Sequence, residues 1–175
     1  MMMKIIGIDP GLAATGVGIV RGTGFKIDGF SFGAINTSKN ISLPNRLEQI
    51  YSRLLSLLQD EKPDLMVVED VFSLPKYPKS GITLGRVTGV IILAGCQANV
   101  AIKEISVREA KQALTGNGNA SKIQLEKSVR NLLHIETPIR PYHASDALGL
   151  SIIGLYRSGN DNTQLIDNST IFNNK

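Results

Sequence analysis

At 175 residues with 42% hydrophobic content and a mean hydropathy of +0.04, the chain can bury a substantial core unaided, which excludes a disordered or disulfide-stapled class. The formal charge of +4 is uneven: residues 71–130 hold nine Lys and Arg against three Glu, a net of +6, while the remainder holds ten basic and twelve acidic residues, a net of −2. A basic middle beside an acidic remainder suggests a polyanionic partner, although solvated lysines on surface helices give the same count.

The N-terminal "MMMK" leads directly into strand-like sequence without a secretory signal pattern. "KIIGID" (4–9) predicts a buried strand. "TGVGIVRG" (15–22) and "GFSFGAINT" (29–37) predict two more, and the short turns favour an antiparallel meander. "LPNRLEQIYSRLLSLLQDEKP" (43–63) predicts an amphipathic helix with Leu47, Ile50, Leu54 and Leu57 on one stripe. Asn45 is its expected cap, with Glu48 three residues on, and Pro63 its end. "DLMVVED" (64–70) is a fourth strand, apolar enough to be covered on both faces.

"SGITLGRVTGVIILAGCQANV" (80–100) predicts a helix with small residues on one side; its apolar run is too short to cross a bilayer and reads as buried. Cys96 lies in that run, so a buried, inert thiol is expected. A single cysteine cannot form an internal disulfide and fits a reducing cytoplasm. "AIKEIS" (101–106) is the fifth strand, and "SVREAKQALTG" a helix capped by Ser106 and closed by Gly116. "NGNASK" (117–122) is a link of turn formers. "SKIQLEKSVRNLLH" and "YHASDALGLSIIGLYRS" (142–158) are the last two helices. Residues 1–157 are expected to form a single domain. Residues 158–175, rich in Asn, Ser and Asp without periodicity, are an expected disordered tail. The class is α/β, a mixed sheet with helices on its faces.

Three places put ionisable groups where an apolar element ends. Asp9 closes the first strand, Glu69 and Asp70 close the fourth, and His143 and Asp146 share one face of the last helix. If the first and fourth strands are neighbours and the last helix crosses their ends, all three places converge. Gathered carboxylates repel unless a cation neutralises them, and oxygen-rich clusters suit Mg²⁺ or Mn²⁺. Such ions activate water against phosphodiesters. The plainer alternative makes Asp9 a turn former and the others strand-end and helix-start charges.

"GIDPGLAATGVGIV", "VVEDVF", "TLGRVTGV" and "HASDAL" occur in an order and spacing that resembles the RuvC-type Holliday junction resolvases, nucleases with a ribonuclease-H-like fold. The resemblance runs from about Lys4 to Arg157. It implies a ribonuclease-H-like mixed five-stranded sheet flanked by helices. It implies two Mg²⁺ ions about 4 Å apart, bridged by Asp9, with Glu69 completing one shell and Asp146 and His143 the other; Mn²⁺ should substitute. The family often has Asp where His143 stands, and more usually Gln where Asp70 stands. Adjacent strand residues face opposite ways, so Glu69 rather than Asp70 is the expected ligand.

By the same resemblance Lys111 and Lys122 match lysines that face the DNA backbone near the cut and act in catalysis. Phe72 matches an aromatic that stacks on junction bases. "SLPKYPKSG" (73–81), with Lys76 and Lys79, is an expected ordered loop near the junction, and Arg86 and Arg108 are further phosphate candidates. The plainer alternatives are a solvated Lys111, a loop Lys122 and a packed Phe72. Two symmetric cuts in a four-way junction imply a twofold homodimer, and the helix face around Gly85, Gly89, Ala94 and Gly95 could pack on the sheet or on a partner chain. The family likeness also implies a branch-migration motor complex of the RuvA and RuvB type as partner, and a cytoplasmic place of work. Rival readings are a ribonuclease-H-like nuclease processing ribosomal RNA precursor and a non-catalytic junction-binding module. An actin-like ATPase or sugar kinase would need a second such domain, for which the chain lacks room.

Overall fold

The computed structural model describes residues 1–70 and 78–159. Among them, β1 (Met3–Asp9), β2 (Ala14–Thr23), β3 (Lys26–Asn36), β4 (Leu65–Asp70) and β5 (Ala101–Ser106) form one sheet in the order β3-β2-β1-β4-β5. The meander β1-β2-β3 is antiparallel, and β4 and β5 join parallel to β1. A parallel partner requires a crossover; α1 (Leu43–Glu61) precedes β4, and α2 (Pro78–Gln97) lies between β4 and β5. The helices α3 (Val107–Thr115), α4 (Lys122–Leu132) and α5 (Tyr142–Ser158) follow.

Strand alternation divides the core into two layers. Ile6, Ile8, Met66 and Val68 point towards α1 and α2 with Ile50, Leu54, Leu58, Val87 and Ile91. Ile5 and Val67 point the other way, into a layer with Val129, Leu148 and Ile152. α5 lies across β1 and β2 at unusually close range. A Cβ at Gly7 would overlap the Ala147 carbonyl, and one at Gly18 would lie 2.5 Å from the Leu148 nitrogen. Glycines here let the helix backbone rest on the sheet backbone.

Several expectations need correction. The N-cap of α1 is Ser42, whose side chain accepts from the Asn45 backbone N–H; Asn45 sits inside the first turn. The buried stripe is Ile50, Leu54 and Leu58, with Leu47 and Leu57 partly buried beside it. Lys62, left-handed at φ 47°, closes the helix just before Pro63. Cys96 is exposed rather than buried, because its face of α2 turns away from the sheet. By length and composition Lys79–Gln97 is long and apolar enough to cross a membrane, contrary to the reading of the shorter run, and only 28% of its apolar window is buried. Lys79 lies in the first turn of α2 instead of a loop. Lys122 likewise opens α4, capped by a reciprocal Ser121–Gln124 box. Ser158 still belongs to α5 and Gly159 caps it. Phe72, Lys76 and the expected tail from residue 160 on lie outside the described residues.

Candidate functional site

The sheet register aligns the first two acids. Ile8 pairs with Val68, so Asp9 and Glu69, one residue further along parallel strands, leave the sheet side by side. Both continue the face of Ile5 and Val67, towards α5, whereas Asp70 continues the face of Met66 and Val68. α5 supplies the rest. His143 Nδ1 lies 2.5 Å from Asp9 Oδ2, and Asp146, one turn on, lies with Oδ2 3.8 Å from Lys122 Nζ. Asp9 is 6% exposed.

Crowding shows in the ionisation. Burial first, then the Asp9 charge and a hydrogen bond with Asp9, push the Glu69 carboxyl up to about 9; Asp146 adds to the shift and Lys122 opposes it. Burial and the Asp9 charge push Asp146 up to about 6, against Lys122, His143 and Lys111. The hydrogen bond to Asp9 holds the His143 pKa above its ordinary value, against burial. Lys122 thus offsets part of the strain on Glu69, and Lys122, His143 and Lys111 part of that on Asp146, without removing either.

One Asp146 oxygen, Oδ1, is buried without a hydrogen-bond partner, an orphan that normally costs stability. Hard oxygen donors, an unsatisfied carboxylate oxygen and carboxyls whose pKa values are raised by burial and by one another's charge fit a hard divalent cation. Among the described residues no three such side chains already form a closed metal-binding group. The acids are therefore assembled at one site without being drawn onto a common point.

Stability should report this directly. Glu69, Asp146 and His143 all have folded-state pKa values above their ordinary ones, so the folded chain binds more protons than the unfolded one. In chelator-treated protein, stability should therefore fall as pH rises from about 4.5 to about 9, the window set by Glu69. Millimolar Mg²⁺ should flatten the slope by supplying the missing charge. Melting temperatures across that range, with EDTA and with Mg²⁺, check this; a flat EDTA profile would show that the acids do not burden the fold.

Of the basic candidates, Lys122 and Lys111 face Asp146 electrostatically. Lys79, Arg86 and Arg108 are exposed on α2 and α3, and no described contact joins them to the acids. Gly16 was missed. It pairs with Asp9 across β1 and β2, and a Cβ there would overlap the His143 carbonyl and lie 2.9 Å from the His143 Cβ. Its signal was the alternation of glycines at 16 and 18 on one strand face, two residues apart. Around Asp9, Thr37 braces the following turn, its hydroxyl donating to the Leu12 carbonyl at 2.5 Å while accepting from Arg46 Nε at 2.8 Å.

A family model described as crossover junction endodeoxyribonuclease RuvC matches residues 5–154. A curated relative of that name from Syntrophomonas wolfei is 36% identical over 88% of this chain and 89% of its own. One from Brevibacillus brevis is 39% identical over 86% and 90%. Among solved structures, T. thermophilus RuvC in complex with a Holliday junction substrate superposes with a TM-score of 0.82 at 28% identity, covering 90% of this chain and 95% of that one. The yeast mitochondrial Holliday junction resolvase, at 12% identity and a TM-score of 0.60 over 89% and 78%, shares the fold. The mixed sheet with flanking helices is that of these ribonuclease-H-like proteins. With the family model spanning most of the chain and relatives covered nearly end to end, the chain belongs to the crossover junction endodeoxyribonuclease RuvC family.

Proposed function

We infer that this protein is an endonuclease that resolves four-way DNA junctions by paired, symmetric hydrolysis of phosphodiester bonds. The observation that carries the reading is the meeting of Asp9, Glu69, His143 and Asp146 at the strand ends of a chain matching the family from residue 5 to residue 154. Asp9, Glu69, Asp146 and His143 would hold Mg²⁺, with Mn²⁺ as a substitute. Such ions, when bound, would supply activation of a water for attack on phosphorus and positive charge for the departing 3′ oxygen. Asp9, central to the other three, accepts from His143 and fixes its ring. His143 is neutral when it acts as a ligand, so it adds no negative charge to a site already crowded with carboxylates. Lys122 and Lys111, beside Asp146, bind the phosphate backbone at the cut.

Paired cuts call for two sites related by a twofold axis, hence a homodimer. The small residues of α2 divide between two tasks. Ala94 is buried and a Cβ at Gly95 would meet Met66 and Ile102, so these pack on the sheet. Ile82 and Leu93, 59% and 49% exposed, lie on the outward face with Gly85 and Gly89, where open space would admit a partner helix.

The deciding experiment incubates the protein and Mg²⁺ with labelled four-way junction, linear duplex and structured RNA. Paired nicks in the junction alone are expected; preferential RNA cleavage would favour an RNA-processing nuclease, and binding without cleavage a non-catalytic module. On the same junction, Lys122→Ala removes one ammonium from the phosphate backbone and should flatten the dependence of log affinity on log salt by about 0.9. An unchanged slope with unchanged cleavage would leave Lys122 as a solvated helix residue.

A further inference from the structure

Glu126, in α4, is a buried acid outside the site, 4% exposed. A buried charge is costly unless paired and hydrogen-bonded, and its partners are specific. Its Oε1 accepts the Ile139 backbone N–H at 2.9 Å in a buried contact and lies 3.1 Å from Arg130 Nε, one turn on. The Arg130 contact lacks hydrogen-bond alignment, so the pair attracts through charge while the directed bond goes to Ile139. Arg130 Nη1 donates in turn to the Glu136 carbonyl at 3.0 Å. Two side chains of α4 thus grip the 136–139 segment. Ile139 is 1% exposed, within the same core layer as Ala144 and Leu148.

That segment delivers α5. Pro141 is the N-cap and makes no side-chain cap bond, so the preceding segment shares with the His143 contacts the task of fixing the start of the helix. Tyr142 and His143 follow at once. At its other end α4 presents Lys122 to Asp146 at 3.8 Å. α4 therefore meets the α5 region at two points from residues one turn apart: Glu126 on Ile139, three residues ahead of the helix, and Lys122 on Asp146, in its second turn.

We propose that Glu126 is a positioning residue for the reaction: by accepting the Ile139 N–H it fixes the start of α5, and with it the placement of His143 and Asp146 against Asp9. The proposal rests on the four-residue cation site inferred above, and Glu126 itself touches neither substrate nor reacting atoms.

The test compares Glu126→Gln, which keeps an acceptor oxygen and removes the charge, with Glu126→Leu, which fills similar volume without an acceptor. Mg²⁺ affinity is read without DNA, from the rise in melting temperature with Mg²⁺ concentration, and separately from the Mg²⁺ dependence of single-turnover junction cleavage. Glu126→Leu should weaken Mg²⁺ by about tenfold or more, the scale at which residues orienting metal ligands act. Glu126→Gln should stay within about threefold of the parent, and junction affinity in EDTA should be unchanged in both. A lowered melting temperature with an unshifted Mg²⁺ midpoint would reduce Glu126 to a packing role. Equal defects in Gln and Leu would transfer the effect to the Arg130 charge pair and overturn the proposal. Should Glu126→Leu not fold, Glu126→Asp, which withdraws the oxygen by one methylene, decides: an intermediate shift supports the proposal and none refutes it. A parent that binds Mg²⁺ but cuts no junction would sink the functional reading while leaving this comparison intact.

Discussion

Asp9→Asn is expected to lower junction cleavage by about 10³-fold or more, the scale of removing a group that acts mainly in the transition state. The change is isosteric, so the 2.5 Å approach to His143 can persist in altered form, while the negative charge proposed to hold cations is gone. Junction affinity should stay level or rise, because binding is carried by phosphate contacts to basic residues and the DNA then faces one negative charge fewer. Single-turnover cleavage and equilibrium binding on the same junction separate the two effects; parallel loss of both would make Asp9 a folding residue. Glu69→Gln should behave like Asp9→Asn, since Glu69 interacts with Asp9 and Asp146. Asp70→Asn should retain most activity, because Asp70 faces the α1 and α2 side in register with Ser106. A live Glu69→Gln beside a dead Asp70→Asn would mean that the wrong strand face had been chosen.

Gly16→Ala should be almost as damaging, without touching a titratable group. The new methyl would overlap the His143 carbonyl, so either β2 or the first turn of α5 must yield. Overpacking of this kind costs about 1–3 kcal/mol. The cost to cleavage should exceed the cost to stability. A displacement near 1 Å in the groups that orient the reaction can lower the rate by about 10²-fold, and His143 rides on the displaced turn with Asp146 on the next. Gly33→Ala is the matched control, for a Cβ there meets nothing within 4 Å. If the two variants melt and cut alike, the close approach of α5 to β2 is not what holds the site.

How much of this was legible beforehand depended on the range of the interaction. Caps and strand ends are local, so Ser106 and Gly116 around α3, and Asp9 and Glu69 at their strand ends, could be read from neighbouring residues. The cap of α1 was misassigned because Ser42 and Asn45 are both good caps, although Pro44, suited to the first turn, favours Ser42. Cys96 was misjudged because an apolar run does not say which side of a helix meets the sheet. The alternation of Gly16 and Gly18 marks a bare strand face, but nothing local says that a helix more than a hundred residues away rests on it. The bond from Glu126 to Ile139 joins two surface-like sequence contexts that only the fold makes interior.

The distribution of the site along the chain also sets a timetable. Asp9 and Glu69 leave the ribosome well before His143 and Asp146, and domains generally begin to fold from the N-terminal side during synthesis. A nascent chain carrying the sheet but not α5 would hold two of the four proposed donors and a glycine-floored face without its helix. If these four residues form the site, cutting power arrives only when α5 settles, and a chain stopped short of it spares the DNA around it.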